Sequence, residues 1–293
     1  MEKVIFDTDI GDDIDDAVAL RLVLKCREIQ VLGITTAYKN SMQRAKIAAA
    51  IARESGQTVP VYAGVDMPSV CRPERLSGET LGEDGKIRLS QYFDFMAEEK
   101  VETLSAVDYI LDVADKYPGE ITLLSLAPLC NLAAAYKKDP IRFNKLKRIV
   151  MMGGCFSYPF AEWNIRCDVE SALTVFSSPV EKWAVGYDIT QSAVLNEEQT
   201  ERILRIKDAQ VLRQMFEVYL TNQKISRPTM HDPLTVSSLV KDYITYDKRR
   251  VKIISEGKDR GKIFESDEGD EINVAVKADI GGFMEYLFAT IGG

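Results

Sequence analysis

Residues 4–16 read VIFDTDIGDDIDD, and this stretch indicates both the fold class and the place where the chemistry should be sought. Its first three residues are apolar, a run that is too short for a helix and typical of a buried strand. The ten residues from Asp7 to Asp16 then contain six aspartates. We therefore expect a buried strand that leads directly into an acidic loop.

The segments after this loop predict helices and strands in alternation. From Asp16 to Cys26 the apolar residues recur three and four positions apart, which predicts a helix, and the apolar residues 31–36 predict a second strand. Further helices are predicted at Ser41–Ser55, around 107–114 and, as two successive helices, at Asn196–Lys224; further strands are predicted at Pro60–Ala63, Ile121–Leu126, Ile149–Met152 and Trp183–Tyr187. This alternation predicts an α/β fold with an open, mostly parallel sheet flanked by helices.

The C-terminal part departs from the alternation and predicts a small antiparallel addition. Two strands that could pair, two charged solvated turns and a closing helix are expected at Val251–Ile254, Ile272–Val276, Glu256–Arg260, Glu265–Glu271 and Ile280–Ile291. Residues 68–100 are irregular, with prolines and glycines among charges. No linker rich in Ser/Gly or Pro/Gly divides the chain, so we predict a single domain over residues 1–293.

The composition excludes several classes of protein. With 37 Lys and Arg against 45 Asp and Glu, the net charge of −8 argues against a nucleic-acid backbone as partner. No apolar run approaches the length that spans a bilayer, and no secretion signal opens the chain. The five cysteines are scattered without a CxxC pair. We expect a cytoplasmic protein with reduced thiols and no membrane partner.

The acidic loop predicts a metal or catalytic site. Six carboxylates in ten residues repel one another unless a cation neutralises them, and oxygen ligands suit Ca²⁺ or Mg²⁺. Gly11 permits a tight turn that could fold both ends of the loop onto one ion. The alternative is a solvated loop in which Asp15 or Asp16 caps the next helix, but capping uses one aspartate and leaves the others without a role.

The spacing of the loop separates it from two other acidic motifs. An EF-hand is rejected because Gly11 occupies the fifth loop position and Val18 the twelfth. Haloacid-dehalogenase phosphatases also follow a buried strand with Asp-x-Asp, but they usually carry Thr or Val where Gly11 stands. Two alternatives remain: a Mg²⁺-dependent phosphatase of this type, and a non-catalytic ligand-binding protein that keeps the fold and the metal.

The order of motifs along the chain favours a third interpretation. Asp7-Thr8-Asp9 with the run Asp15–Leu20 resembles the opening motif of the inosine–uridine-preferring nucleoside hydrolases. Further motifs that resemble this family follow in order: Ile34–Thr36 with Asn40, Pro60–Gly64, Ala127–Leu132, Met151–Gly154, Ala161–Ile165 with Asp168, and His231–Leu234. Together they cover residues 4 to about 240 and are highly specific, although no single one would be.

This resemblance implies a Rossmann-like nucleoside hydrolase fold and Ca²⁺-dependent hydrolysis of the N-glycosidic bond of ribonucleosides. By the resemblance, Asp9, Asp16 and Asp232 supply carboxylate ligands to Ca²⁺, and Cys130 supplies its backbone carbonyl. The family usually has Thr at the Cys130 position, a change that a carbonyl ligand tolerates. Asp9 would also accept the proton of a metal-bound water that attacks the anomeric carbon.

The resemblance also implies residues that bind the substrate. Asp15 would hydrogen-bond a ribose hydroxyl, Glu162 and Asn164 would contact the 5′- and 3′-hydroxyls, and Asn40 and Met152 would line the pocket. Four of these residues have an ordinary alternative: Asn40 could start a turn, Met152 could fill core, and Glu162 and Asn164 could lie in an exposed loop.

His231, the only histidine of the chain, would donate a proton to the departing base. Its alternative is a buried structural histidine. Family members often form homodimers or homotetramers, and the same assemblies are expected here.

The chain departs from the family pattern in three places. The opening loop is about two residues longer than usual, with Ile10 in place of Pro, so that Asp13 could take a ligand position. The segment between Gly154 and Glu162 is shortened and lacks the Asn that usually contacts the 5′-hydroxyl. The loop Arg72–Arg88 lacks a His often found there. The metal and ribose site is therefore better supported by the sequence than the base site.

Overall fold

The structure is a computed structural model that describes residues 1–69, 79–81 and 87–292. The strands are β1 Glu2–Thr8, β2 Ile29–Thr36, β3 Val61–Ala63, β4 Glu79–Leu81, β5 Ile87–Leu89, β6 Ile121–Ser125, β7 Arg148–Met152, β8 Lys182–Val185, β9 Ile244–Ile253, β10 Ile263–Glu265 and β11 Asp270–Ala278. The helices are α1 Asp15–Lys25, α2 Ser41–Glu54, α3 Ala106–Lys116, α4 Cys130–Lys138, α5 Pro140–Phe143, α6 Trp163–Cys167, α7 Val169–Phe176, α8 Tyr187–Thr190, α9 Glu197–Leu204, α10 Gln210–Gln223, α11 His231–Ser237 and α12 Ile280–Ile291, with a 3₁₀ helix at Asp94–Glu98.

Nine of these strands form one sheet in the order β10-β9-β11-β8-β7-β6-β1-β2-β3. The strands from β11 to β3 in this order run parallel, whereas β9 pairs antiparallel with both β10 and β11. A separate antiparallel pair is formed by β4 and β5. The predicted fold class, a mostly parallel sheet flanked by helices with a C-terminal antiparallel addition, is confirmed.

The strand order places the acidic loop at a functional position of the sheet. After β1 the chain moves in one direction to β2 and β3, and it then returns to the other side of β1 through β6, β7 and β8. In open parallel sheets, ligands bind at the carboxyl ends of the strands where the order reverses in this way. The loop after β1 lies at this end.

Helix α1 is buried along ten of its eleven residues, from Asp15 to Leu24. A surface helix exposes a polar face, but α1 contacts α2, α11 and α12 and is therefore covered on several sides. Its buried Arg21 donates hydrogen bonds to the backbone carbonyls of Ile291 (3.1 Å) and Asp208 (3.1 Å) and to Oδ1 of Asp208 (2.7 Å). These bonds tie the middle of α1 to the C-terminal helix and to the segment before α10.

One expectation for the C-terminal region is wrong. The stretch Glu265–Glu271 is only in part a turn, because Glu265 ends β10 while Asp270 and Glu271 begin β11. Cross-strand ion pairs explain why charged residues occupy these strands: Glu265 pairs with Arg249 at 3.0 Å and Glu271 with Lys248 at 2.9 Å. Strand β10, which was not expected, extends the predicted antiparallel pair to three strands.

The remaining expectations concern the loop Arg72–Arg88, a membrane span, the domain organisation and the location of the protein. Most of the loop Arg72–Arg88 lies outside the described residues, including Gly82–Gly85. Within the described residues, no helix is long and apolar enough to cross a membrane. The single domain over 1–293 and the cytoplasmic location stay predictions.

The acidic loop is shaped by residues packed behind it. Gly11 has a φ of +118°, and a Cβ built on it would lie 2.8 Å from Cδ1 of Ile47 and 2.9 Å from Cδ1 of Leu89. The buried Gln91 donates from Nε2 to the carbonyls of Asp12 (2.9 Å) and Asp13 (3.3 Å). Only glycine combines this backbone angle with this close approach.

We therefore expect Gly11→Ala to lower the free energy of unfolding by about 2–4 kcal/mol, the sum of a left-handed backbone and an overpacked contact. Chemical denaturation of the purified protein measures it. Gly119→Ala is the matched control, since Gly119 has a φ of +76° with nothing within 4 Å of a built Cβ. The control should lose only about 1–2 kcal/mol. Equal losses in the two variants would contradict the packing argument.

Candidate functional site

A cavity of about 400 Å³ opens at the carboxyl ends of the parallel strands. Its wall includes eight of the ten site residues expected from the sequence: Asp9, Asp15, Asp16, Met152, Glu162, Asn164, His231 and Asp232. They come from the loop after β1, the first turn of α1, the end of β7, the start of α6 and the start of α11. The topology therefore brings together residues that lie far apart in the sequence.

Two expected site residues are not among the described residues that line this cavity. Asn40 precedes α2 with a left-handed φ of 56°, which fits the alternative that it forms a turn. Cys130 is buried at the start of α4, and its Sγ lies 3.4 Å from the carbonyl oxygen of Pro128. A pocket role for Asn40 and a carbonyl ligand from Cys130 stay predictions.

Three buried carboxylates form a compact cluster within the cavity. Asp15, Asp16 and Asp232 each offer an oxygen, and these oxygens all lie within 4.8 Å of one another. Asp15 and Asp16 occupy the first turn of α1, where the positive end of the helix dipole favours negative charge. Asp15 also accepts a hydrogen bond from the backbone N–H of Asp232 at 3.0 Å, which links the starts of α1 and α11.

The cluster carries more negative charge than its surroundings compensate. Burial raises the pKa of Asp15 and of Asp232, and neighbouring carboxylates raise both further. Burial also raises the pKa of Asp16, but only to about 7, since the Thr8 hydroxyl donates to its Oδ1 at 2.5 Å and the charge of Arg44 lies nearby. Buried carboxylate oxygens that repel one another suit a hard divalent cation such as Ca²⁺, which prefers oxygen ligands.

Asp9 lies beside this cluster. It is buried and lines the same cavity, and the charge of Asp16 adds to burial in raising its pKa, while Arg44 opposes the shift. The cluster of three carboxylates contains Asp15, which the resemblance assigns to the ribose. The carboxylate ligands implied by the resemblance contain Asp9 in its place. The structure thus gathers four aspartates where a cation and a ribose would be bound.

Asp7, the first aspartate of the acidic stretch, does not line the cavity described here. Its carboxylate is fully buried and accepts hydrogen bonds from the hydroxyls of Thr35 (2.6 Å) and Ser125 (3.2 Å) and from Nδ2 of Asn131 (2.8 Å). Burial raises its pKa to about 6 despite these donors. Asp7 therefore joins β1, β2, β6 and α4 beneath the site.

Glu162 and Asn164 are buried and heavily hydrogen-bonded. The Glu162 carboxylate accepts from the backbone N–H groups of Gly154 (2.9 Å), Asn164 (2.9 Å) and Ile165 (3.2 Å) and so caps α6. Nδ2 of Asn164 donates to the carbonyls of Leu126 (3.2 Å) and Met152 (3.1 Å). Because an amide has only two N–H donors, the amide oxygen is the atom with which Asn164 would bind a ligand. The alternative of an exposed loop is wrong for both residues.

His231 begins α11 and is held in a fixed orientation. Its Nδ1 lies 2.7 Å from Oγ1 of Thr190, and its ring stacks on Tyr187 with centroids 5.6 Å apart. Since Nδ1 is engaged, Nε2 is the ring nitrogen that would act on a substrate. Burial lowers the pKa of His231, while the charge of Asp13 opposes this shift.

Sequence reasoning missed an aromatic part of the wall. Four aromatic residues line the cavity: Phe160, Trp163, Tyr187 and Tyr219. The rings of Phe160 and Tyr187 pack in a tilted arrangement with centroids 5.0 Å apart. Arg166, Gln223, Asp12 and Asp13 complete much of the polar lining. Tyr219 and Gln223 lie four residues apart on a predicted helix. This spacing was the local signal that their side chains share one face of that helix.

Comparisons with known proteins agree with this geometry. The profile of the family described as "Inosine-uridine preferring nucleoside hydrolase" matches residues 4–285. A probable uridine nucleosidase 2 of Oryza sativa subsp. japonica is 32% identical over 87% of this chain and 79% of its own length. Uridine nucleosidase 1 of Arabidopsis thaliana is 30% identical over 99% and 93%.

A solved structure extends the similarity to three dimensions. The purine-preferring ribonucleoside hydrolase from Gardnerella vaginalis has a TM-score of 0.85 and 27% identity, with 100% of this chain and 98% of that chain covered. The profile match, the relatives and this structure agree over nearly the whole length. The chain therefore belongs to the inosine-uridine preferring nucleoside hydrolase family.

Proposed function

We propose that the chain hydrolyses the N-glycosidic bond of ribonucleosides in a Ca²⁺-dependent reaction that gives ribose and a free base. The observation that carries this proposal is the meeting of Asp9, Asp15, Asp16, Asp232 and His231 in one cavity of a chain that belongs to this hydrolase family. Family membership already makes the chain an N-glycosyl hydrolase. The metal, the roles of individual residues and the assembly are the proposed parts.

Asp9, Asp16 and Asp232 would hold the cation through their carboxylates, and Cys130 through its backbone carbonyl. Asp15, which belongs to the same cluster of oxygens, would accept a hydrogen bond from a ribose hydroxyl. When bound, Ca²⁺ supplies positive charge that lowers the pKa of water and attracts hydroxyl oxygens. The excess negative charge of the cavity supports this assignment.

Asp9 takes the proton of the attacking water in this proposal. Its position supports this role, because Asp9 is buried beside Asp16 and lines the cavity in which the water would be held. Glu162 and the amide oxygen of Asn164 hold ribose hydroxyls, because both side chains are fixed by backbone hydrogen bonds. The surrounding carboxylates stabilise the positive charge that develops on the ribose as the bond breaks.

His231 donates a proton to the departing base in this proposal. Its hydrogen bond to Thr190 and its stacking on Tyr187 hold the imidazole in one orientation, which general acid catalysis requires. Met152 contributes an apolar surface to the cavity. We also expect the protein to form a homodimer or homotetramer, on the resemblance to the family.

Metal dependence is tested with a panel of nucleosides and a ribose assay, with and without chelator. Ribose release should stop in the chelator and return with Ca²⁺, and a hundredfold excess of Ca²⁺ over its Kd should stabilise the fold by about 2.7 kcal/mol. Uridine and purine nucleosides both belong in the panel, and 5′-nucleotides with phosphate detection are the control for a phosphatase. An unchanged melting temperature with no metal in elemental analysis would contradict the proposal.

Replacement of the proposed base should impair chemistry more than folding. Asp9→Asn should lower kcat by at least about 10²-fold, the scale of losing a positioned general base. Steady-state kinetics measure this loss, and circular dichroism should show an unchanged fold. Turnover close to that of the wild type would show that Asp9 does not take the proton.

The neighbours His231 and Asp232 should give different profiles across substrates. Asp232→Ala should impair every substrate and weaken Ca²⁺ binding, because the cluster loses a carboxylate. His231→Ala should slow inosine and uridine but largely spare a nitrophenyl riboside, whose leaving group needs little acid catalysis. If His231→Ala slows the nitrophenyl riboside as severely as the nucleosides, His231 is not the leaving-group acid.

A further inference from the structure

Arg44 holds the backbone of the acidic loop from the side of α2. Its side chain is fully buried, and its Nη1 donates to the carbonyl oxygens of Asp9 and of Ile10, the latter at 3.0 Å. A carbonyl that points toward Arg44 is fixed in direction, which fixes the adjoining peptide planes. The backbone at Asp9 is therefore anchored independently of any ligand in the cavity.

The same guanidinium also binds a second segment near the site. Nε of Arg44 lies 2.7 Å from the carbonyl oxygen of Tyr38 and 2.8 Å from that of Lys39. Tyr38, Lys39 and Asn40 have φ values of 62°, 44° and 56°, a run of three non-glycine residues in the left-handed region. Such a backbone costs about 1–2 kcal/mol per residue and persists only where its surroundings enforce it.

The backbone of this turn is enforced from the other side as well. The N–H of Tyr38 donates to the carbonyl of Val65 at 2.8 Å, and the N–H of Ser41 donates to Oδ1 of Asp66 at 2.6 Å. Arg44 supplies the contacts that connect this strained turn to the acidic loop. One side chain thus links four backbone carbonyls from two loops after adjacent strands.

A guanidinium suits this task and an ammonium does not. Its donors lie in one plane and point in fixed directions, whereas lysine offers a single nitrogen on a flexible chain. Arg44 also places a positive charge beside Asp9 and Asp16, where it opposes the effect of burial on their pKa. The mechanism described above assigns no role to this residue.

We propose that Arg44 is a positioning residue for hydrolysis, which fixes the Asp9 carboxylate in the cavity by joining the acidic loop to the left-handed turn at residues 38–40. The inference rests on the proposed function, because Asp9 is taken as the base and as a metal ligand. Arg44 itself does not contact the substrate.

The test compares Arg44→Lys and Arg44→Met with Arg21→Met. Arg21 is a matched control because it is also a fully buried arginine, yet its guanidinium donates to Ile291 and Asp208, which belong neither to the acidic loop nor to the turn at residues 38–40. All three variants should lose thermal stability. Only the Arg44 variants should lose kcat, by about 10²-fold, as expected when a reacting group is displaced by about 1 Å.

Two readouts separate positioning from a general loss of stability. The kcat of Arg21→Met should stay within about twofold of the wild type, and calorimetric Ca²⁺ affinity should fall about tenfold in Arg44→Lys but not in Arg21→Met. If Arg44→Met does not fold, Arg44→Lys decides, because it keeps the buried positive charge. A kcat for Arg44→Lys within about twofold of the wild type would overturn the inference.

The wild type, assayed in parallel, separates this inference from the proposed function. Absence of ribose release by the wild-type protein would refute the proposed function itself. Ribose release that is normal in the wild type and in Arg44→Lys would refute only the role of Arg44.

Discussion

The repulsion between carboxylates buried at one end of the sheet is the constraint on which the rest of this structure depends. Asp9, Asp15, Asp16 and Asp232 lie in a cavity where burial alone already disfavours their charged forms. Such a group of buried acids lowers the free energy of unfolding unless a bound cation offsets the repulsion. Groups of this kind are typical of functional sites. Several local features of the fold reduce this repulsion.

The groups that reduce the repulsion come from several parts of the chain. The first turn of α1 places Asp15 and Asp16 at the positive end of a helix, and the Thr8 hydroxyl donates to Asp16. Arg44 adds a buried positive charge behind the loop and holds its carbonyls. None of these groups neutralises the cluster completely, which leaves a negative field that would stabilise the proposed cation and the positive charge proposed to develop on the ribose.

Acids with similar burial differ in the hydrogen bonds that they accept from the protein. Asp7 is surrounded by donors from Thr35, Ser125 and Asn131 and serves to join strands beneath the cavity. Glu162 accepts three backbone N–H groups and shapes the start of α6 while it faces the cavity. The number of protein donors thus distinguishes Asp7 and Glu162, each of which accepts three hydrogen bonds, from the aspartates of the cluster.

The sequence alone determined the fold class, the acidic loop after β1 and eight of the residues that line the cavity, because these depend on local periodicity and on the order of motifs. The closing helix Ile280–Ile291 was placed with its observed bounds. Only the tertiary structure decided that Asp7 lies outside the cavity, that the backbone N–H of Asp232 donates to Asp15, and that Arg44 joins two loops. These relations depend on strand order and on helix packing, which bring distant residues together, and no local pattern of residues encodes such contacts.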